Sequence, residues 1–371
     1  MIVRRVELGD FRNYLRAHFD LAAGLTAVIG DNGQGKTNLA EALAYLATLQ
    51  SFRGVPTDAL IRIGADQAII RAEVEHDDGR VITVEAEINR TGRHRVLVNK
   101  QRLGRPRDLL GVMRVTVFAP DDLALVKDGP GERRRFLDDL LVTLHPKNDV
   151  LRSDLDRILK QRNVLLKQAG GRLNDEVAFT LDVWDVKLAE TGEAMGRARR
   201  ALVDRLAPMV ETAYLDLAGP GTRPADESTT ADESTTTMIY DPPWRRTGLA
   251  EALGAGRSDD VRRQISMTGP HRDEVDLGIN AMPARTHASQ GEQRTLALAL
   301  RLAGHRLVAD RTGSPPVLVL DDVLSELDPA RAAAWLAHVP PGQVILTTAG
   351  VLPEAAATAQ IVRIAGGTVI V

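Results

Sequence analysis

The sequence predicts an α/β protein whose two ends build one strand-and-helix unit, with a helical subdomain inserted between them and no long coiled coil. Three observations predict it. Short β-branched runs surround an Ala- and Leu-rich helix in the first third of the 371-residue chain. Apolar residues at three- and four-residue spacings fill the middle. Uninterrupted apolar strands return near the C-terminus, the pattern of parallel strands covered on both faces.

Each element follows in order. Met1 to Leu8 has no long apolar core and reads as a first strand rather than a secretory signal. Leu25-Thr26-Ala27-Val28-Ile29 ends in glycines and precedes a helix over Asn38 to Leu49, which gives strand, loop, helix. Residues 69–75 and 81–88 alternate around Asp77-Asp78-Gly79 as a hairpin, and Arg95 to Val98 meets a turn at Asn99-Lys100. These elements form an N-terminal lobe over 1–130.

The helical subdomain spans 131–218. It holds helices over Val150 to Gln168 and Glu176 to Leu206, broken at Gly170-Gly171 and ended near Pro208. No heptad series persists beyond these two pieces, so their apolar positions are packing faces. A disordered linker over 219–237 carries Ala-Asp-Glu-Ser-Thr-Thr twice in tandem, at 225–230 and 231–236, with nothing larger than alanine to bury. The rest of 219–371 completes the α/β unit through Val317 to Leu320 and Val344 to Leu346.

Composition excludes several classes of chemistry. The chain has no cysteine, which removes thiol nucleophiles, thiolate-ligated metals, iron–sulfur clusters and disulfides together and fits a reducing cytoplasm. No run approaches the roughly 18 apolar residues of a membrane span. The net charge of −3 means that any polyanion must meet a local patch. Arg90, Arg93, Arg95, Lys100, Arg102, Arg105, Arg107 and Arg114 provide one, against the single acid Asp108. Residues 131–217 carry as many acids as bases, an ordinary solvated surface.

Gly30-Asp31-Asn32-Gly33-Gln34-Gly35-Lys36-Thr37 fits G-x-x-x-x-G-K-[ST] in the strand–loop–helix setting that gives the motif meaning. Glycines let successive N–H groups face phosphates, Lys36 reaches the β- and γ-phosphates of ATP, and the Thr37 hydroxyl ligates Mg²⁺. Asp321 ends the strand Val317 to Leu320 and is the expected Mg²⁺ partner. Asp322 falls where a carboxylate orients or deprotonates the attacking water. An Asp-Asp pair alone after a strand is more often a turn or helix cap; beside the phosphate loop the functional reading prevails.

Ser289 and Glu292 form an S-x-x-E capping box at the start of a further helix, and Gly291 permits close approach of a ligand to its first turn. Together with Asp321, Asp322 and Ser325-Glu326-Leu327-Asp328, this closely resembles the signature, catalytic-carboxylate and D-loop series of ABC-type P-loop ATPase heads. That resemblance implies a head-to-tail dimer, in which the Ser289 helix of one subunit caps the γ-phosphate held by the loop of the other. Thr347-Thr348 stand where transporter members place a switch histidine.

Asp10-Phe11-Arg12-Asn13-Tyr14, Phe118 to Leu123, Gly129 to Asp138, Thr268 to Asp273 and Ser289 to Leu302 resemble segments of the RecF family of bacterial recombination mediators, related to chromosome-maintenance ATPase heads. The resemblance runs end to end and weakens over 219–260. It implies ATP-dependent binding of single-stranded, double-stranded and gapped DNA, cooperation with RecR and RecO in loading RecA, and weak DNA-stimulated ATP hydrolysis.

Arg93, Arg95, Lys100 and Arg102 are the candidate DNA contacts, with a merely solvated hairpin as the alternative. Arg133-Arg134-Arg135 near a helix start opposes the helix dipole, which suggests phosphate contact or salt bridges between lobes. His271 and Arg272 stay outside the catalytic set, and Trp184, Trp244 and Trp335 are too scattered for a stacking platform. Two other functions compete: an architectural DNA-bridging protein with little turnover, and a transporter's nucleotide-binding subunit. The 253 positions between Lys36 and Ser289 count against the latter, whose motifs lie close together.

Overall fold

The chain opens with a hairpin, β1 (Ile2–Phe11) and β2 (Tyr14–Asp20), and continues through β3 (Leu25–Ile29), α1 (Lys36–Thr48), β4 (Gln67–Glu75), β5 (Val81–Asn89), β6 (Arg95–Val98), β7 (Gln101–Arg102) and β8 (Val115–Phe118). The computed structural model describes residues 1–218, 236–323, 335–350, 352, 356 and 359–370. Most of the tandem repeat and all of Ser325 to Asp328 lie outside the described residues. Next come α2 (Ala124–Lys127), α3 (Pro130–Leu144), α4 (Asn148–Gln168) and α5 (Asp175–Ala218). The last stretch holds β9 (Thr236–Ile239), α6 (Leu249–Arg263), β10 (Asp276–Ile279), β11 (Met282–Pro283), α7 (Ala284–His287), α8 (Gln290–Thr312), β12 (Val317–Asp321), β13 (Val344–Thr348), β14 (Gln360–Ala365) and β15 (Thr368–Ile370).

Two compact units result: one from 1–123, 212–231 and 290–371, the other from 124–211 and 232–289. In the first, β2-β1-β4-β5-β6-β7 form an antiparallel sheet and β15-β14-β3-β13-β12-β8 a second sheet. All pairings of the second sheet are parallel except β14 with β15. N-terminal β3 thus sits between two strands from the C-terminal end, and both chain ends build one head.

The antiparallel sheet alternates buried and solvent-facing residues, as a sheet covered on one side does. Its inner row, with Val6, Leu8, Ile70, Ala72, Val84 and Ala86, shares a core with Leu39, Leu43 and Leu46 of α1 and with Val28, Val317, Val319 and Ile345 of the parallel sheet. Helix α1 is therefore buried almost all round, which its Ala-Leu composition allows. Residues Thr295 to Leu300 of α8 are likewise all buried, and Trp335 meets Phe118 edge-on.

In the second unit, α3 to α6 pack around buried polar groups as well as apolar ones. The fully buried Arg162 donates to Asp185 and Asp260, each at 2.7 Å, and to the Ser266 hydroxyl at 2.8 Å. Such a network is costly unless satisfied and fixes one arrangement of α4, α5 and α6. Trp244 packs on Gly196, where an added Cβ would lie 2.5 Å from its ring. Trp184 lies under the Lys187 ammonium at 4.9 Å.

Three expectations need correction. The second long helix does not stop near Pro208 but runs through it to Ala218. Leu206 and Val210 before and after the proline, then Ala213, Tyr214 and Leu217, are all buried, and that burial outweighs the roughly 3 kcal/mol cost of an internal proline. Thr236 and Thr237, assigned to the linker, are instead strand residues that pair with Ile279 and Gly278. Residues 232–289 belong with the helical unit rather than with the head, since β9, β10 and β11 close a sheet of their own.

Candidate nucleotide site

Strand β3 delivers the glycine-rich loop to the end of the parallel sheet, and α1 starts at Lys36. A Cβ on Gly30 would lie 2.3 Å from the Ile364 carbonyl oxygen, and one on Gly35, at φ +124°, 2.6 Å from the Tyr14 hydroxyl. Only glycine fits either place. The loop carbonyls are engaged: Lys36 Nζ donates to Gly30 O at 2.7 Å and Asp31 O at 2.9 Å, and the Tyr14 hydroxyl donates to Gly35 O at 2.9 Å. Among the described residues, the backbone N–H groups of Gly33, Gly35, Lys36 and Thr37 have no protein acceptor. Four such donors at a helix start form an anion cradle.

Asp321, at the end of β12, closes the site. Its Oδ1 accepts from the Thr37 hydroxyl at 3.1 Å and from the Thr347 hydroxyl at 2.7 Å. Burial pushes the Asp321 carboxyl above the ordinary aspartate range; the two hydroxyl bonds pull it down, the neighbouring Asp322 pushes it up, and Arg53 pulls it down. A buried hydroxyl–carboxylate pair of this kind fits Mg²⁺, which takes one or two protein oxygens and fills its shell with phosphate and water. No cluster of three acids or histidines occurs among the described residues.

Asp322 follows in the left-handed region at φ +54°. Its N–H donates to both the Thr347 carbonyl and hydroxyl, each at 3.1 Å, and this anchors the turn that carries the second carboxylate. The pair Thr347-Thr348 divides in role. Thr347 bonds Asp321, whereas the Thr348 hydroxyl accepts from the Gly350 N–H at 3.1 Å.

Ser289 is exposed immediately before α8. Gly291 lies in the first turn of α8, and its carbonyl accepts from the Thr295 hydroxyl at 2.9 Å. Hydrogen bonds thus bring together Thr37, Asp321 and Thr347, with Lys36 held to the loop carbonyls beside them, while none among the described residues joins Gly291 to the loop.

Arg93, Arg95, Lys100 and Arg102 are all exposed near the β7 edge of the antiparallel sheet. Arg95 stands opposite Glu87, with a 3.5 Å contact, and Arg102 opposite Leu97. Farther across the same face Glu85, Arg71 and Glu7 form a charge ladder with contacts of 2.5 and 2.8 Å, so the positive excess is confined to the edge. The Asn99-Lys100 turn has φ of +51° and +65°, a two-residue type I′ hairpin turn.

The arginine triplet is mostly internal to its own unit. Arg133 forms a two-bond pair with Glu274 at 2.9 and 3.1 Å and donates to Leu125 O and Asp128 O. Arg134 donates to Asp273 O at 2.6 Å, and Arg135 is exposed beside Glu132. His271 donates from Nε2 to Ser266 O at 2.9 Å, and burial pushes its pKa down to about 4.

Sequence reasoning overlooked Arg53, Asn13, Gly366 and Gly367. Arg53 has no spacing rule that marks it. Asn13 donates to Gln34 O at 2.9 Å and accepts from Asn38 Nδ2 at 2.8 Å; it lies in a segment already singled out, but nothing local ties it to the loop.

An anion cradle, a hydroxyl–carboxylate metal pair and a following acid, on a parallel sheet assembled from both chain ends, define an ABC-type P-loop ATPase head. The RecF/RecN/SMC N-terminal domain matches residues 2–350. The DNA replication and repair protein RecF of Cutibacterium acnes is 41% identical over 374 residues, covering 95% of this chain and 93% of that protein. That of Streptomyces avermitilis is 45% identical, covering 95% and 94%. A structure of the recombination mediator protein RecF with ATP superimposes at TM-score 0.86 with 26% identity, over 99% of this chain and 96% of that one. An Smc head bound to the winged-helix domain of ScpA, 16% identical at TM-score 0.57, shares the fold. The chain belongs to the RecF family.

Proposed function

We propose that this protein binds Mg–ATP at the Gly30–Thr37 loop, dimerises head to tail on it, binds DNA in that state and hydrolyses ATP slowly, with DNA as stimulus. The observation that carries the reading is the meeting of Thr37, Asp321 and Thr347 beside four unsatisfied loop amides. When bound, Mg²⁺ neutralises phosphate charge and is held by Thr37 and Asp321. Lys36 exchanges its two carbonyl partners for β- and γ-phosphate oxygens. Asp322 orients the attacking water and accepts its proton.

The exposed Ser289 ahead of α8 supports the composite site, in which a partner's helix start recognises the γ-phosphate and gives up that interaction when the phosphate leaves. The substrates proposed are single-stranded, double-stranded and gapped DNA. The partners proposed are RecR and RecO, with RecA loaded at gaps in the cytoplasm. Among the described residues no helix is long and apolar enough to cross a membrane. Sedimentation with ADP, ATP and ATP plus gapped DNA tests it. ATP is expected to shift wild type to dimer and Asp322→Asn to accumulate as dimer. A monomer in every condition removes the composite site, and equal turnover in wild type and Lys36→Met leaves only an architectural role.

A further inference from the structure

The phosphate loop is fastened from outside by the far end of the chain. Strands β14 and β15 form a hairpin in which Ala365 pairs with Thr368, and its two turn residues, Gly366 and Gly367, have φ of +56° and +71°. This left-handed pair turns both N–H groups toward Gln34, in the middle of the loop. Gly366 N–H donates to the Gln34 side-chain oxygen, and Gly367 N–H donates to the Gln34 carbonyl at 3.1 Å. Asn13 donates to the same carbonyl at 2.9 Å and holds Asn38 of α1 at 2.8 Å. A single mid-loop residue is thus gripped by three donors from two distant segments.

Packing leaves the turn no slack. A Cβ on Gly367 would lie 2.6 Å from the Asn13 carbonyl oxygen and 3.2 Å from its carbon. These are backbone atoms that cannot swing aside, so the turn would have to retreat and draw both donors away from Gln34. The loop entrance is pinned to the same hairpin, because Gly30 packs on the Ile364 carbonyl of β14.

Resting on the nucleotide reading above, we propose that the Gly366–Gly367 turn, with Asn13, is a positioning latch that holds the loop amides in phosphate-binding geometry. These groups act through Gln34 and need not touch nucleotide. Because they fix the loop before ligand arrives, they act on nucleotide affinity rather than on the chemical step.

The test compares Gly367→Ala, Asn13→Ala and Gly313→Ala by nucleotide affinity, by KM against kcat and by thermal midpoint. Gly313 has φ +67° and open space around its Cβ position, so its alanine variant carries the left-handed strain without a clash. Gly367→Ala is expected to raise the Kd for Mg–ATP and Mg–ADP, and the KM, tenfold or more with kcat within twofold. Asn13→Ala is expected to raise them several-fold, and Gly313→Ala not at all. A Kd within twofold of wild type for Gly367→Ala overturns the latch; if that variant does not fold, the same result for Asn13→Ala overturns it. Equal weakening by Gly313→Ala also overturns it, since strain alone would then suffice. Failure of the nucleotide reading is distinct: wild type itself would not bind Mg–ATP, which removes both.

Discussion

Thr37 and Asp321 stand 284 positions apart, yet the threonine hydroxyl and the aspartate carboxylate meet at 3.1 Å. The contact exists because β3 and β12 flank β13 in one parallel sheet, so that the loop after β3 and the acid ending β12 reach the same sheet end. Asp321→Asn keeps an oxygen for both hydroxyls and removes only the charge. It is expected to weaken Mg–ATP binding at least tenfold, about 1.4 kcal/mol, while nucleotide measured without metal binds as to wild type. Titration with and without Mg²⁺ checks this; equal metal dependence in the two proteins takes Asp321 out of the metal site.

How far the site was legible follows from the range of its contacts. The loop, Asp321 and Asp322 are written in local patterns, a glycine motif after one apolar run and acids after another, and the structure places Thr37 of the loop in hydrogen-bond contact with Asp321. Thr347 was singled out only as a departure at a strand end, and its bond to Asp321 depends on strand order. Gly366 and Gly367 were overlooked, because a contact with Gln34 over 332 positions leaves no periodicity. Pro208 misled for the converse reason: a local breaker signal yielded to burial on both sides.

Buried His305 and half-buried His271 make the fold acid-sensitive. Burial pushes His271 and His305 down to about 4 from an ordinary 6.5. Between those values the unfolded chain binds more protons, so the stabilisation is complete above pH 6.5 and lost as pH falls toward about 4. Each contributes roughly 3 kcal/mol by this linkage. The buried Asp273, whose carboxyl burial pushes up, has the opposite slope, its contribution being lost as pH rises through its raised pKa. Denaturant midpoints at a series of pH values, in wild type and His305→Gln, isolate the histidine effect. The variant is expected to lose less stability on acidification, and parallel curves would show that His305 carries none of it.

Arg133 and Arg135 are neighbours with different consequences. Arg133 is 7% exposed in its two-bond pair with Glu274, whose side chain is 40% exposed. Arg133→Ala leaves an acid and two carbonyls without their donor, and is expected to destabilise the helical unit by about 2–3 kcal/mol, discounted for the partly solvated Glu274. Arg135→Ala is expected to stay within about 0.5 kcal/mol. Thermal unfolding distinguishes them, and equal midpoints would contradict the buried pair.

Confinement of positive charge to the β6–β7 edge sets a limit on DNA binding through it. Arg93, Arg95 and Arg102 face solvent, but Arg95 lies near Glu87 and the adjoining ladder is charge-balanced, so the patch spans few phosphates. Replacing all three by alanine is expected to weaken binding in the ATP state and to lower the slope of log affinity against log salt by no more than about 2.7, roughly 0.9 for each duplex phosphate no longer neutralised. Because such contacts carry no base information, the weakening is expected to be the same for unrelated sequences. Salt titrations on two duplexes and one gapped substrate measure all of this at once. Unchanged affinity and slope would move DNA binding to another face of the protein, while a weakening restricted to one sequence would replace phosphate contact with base readout.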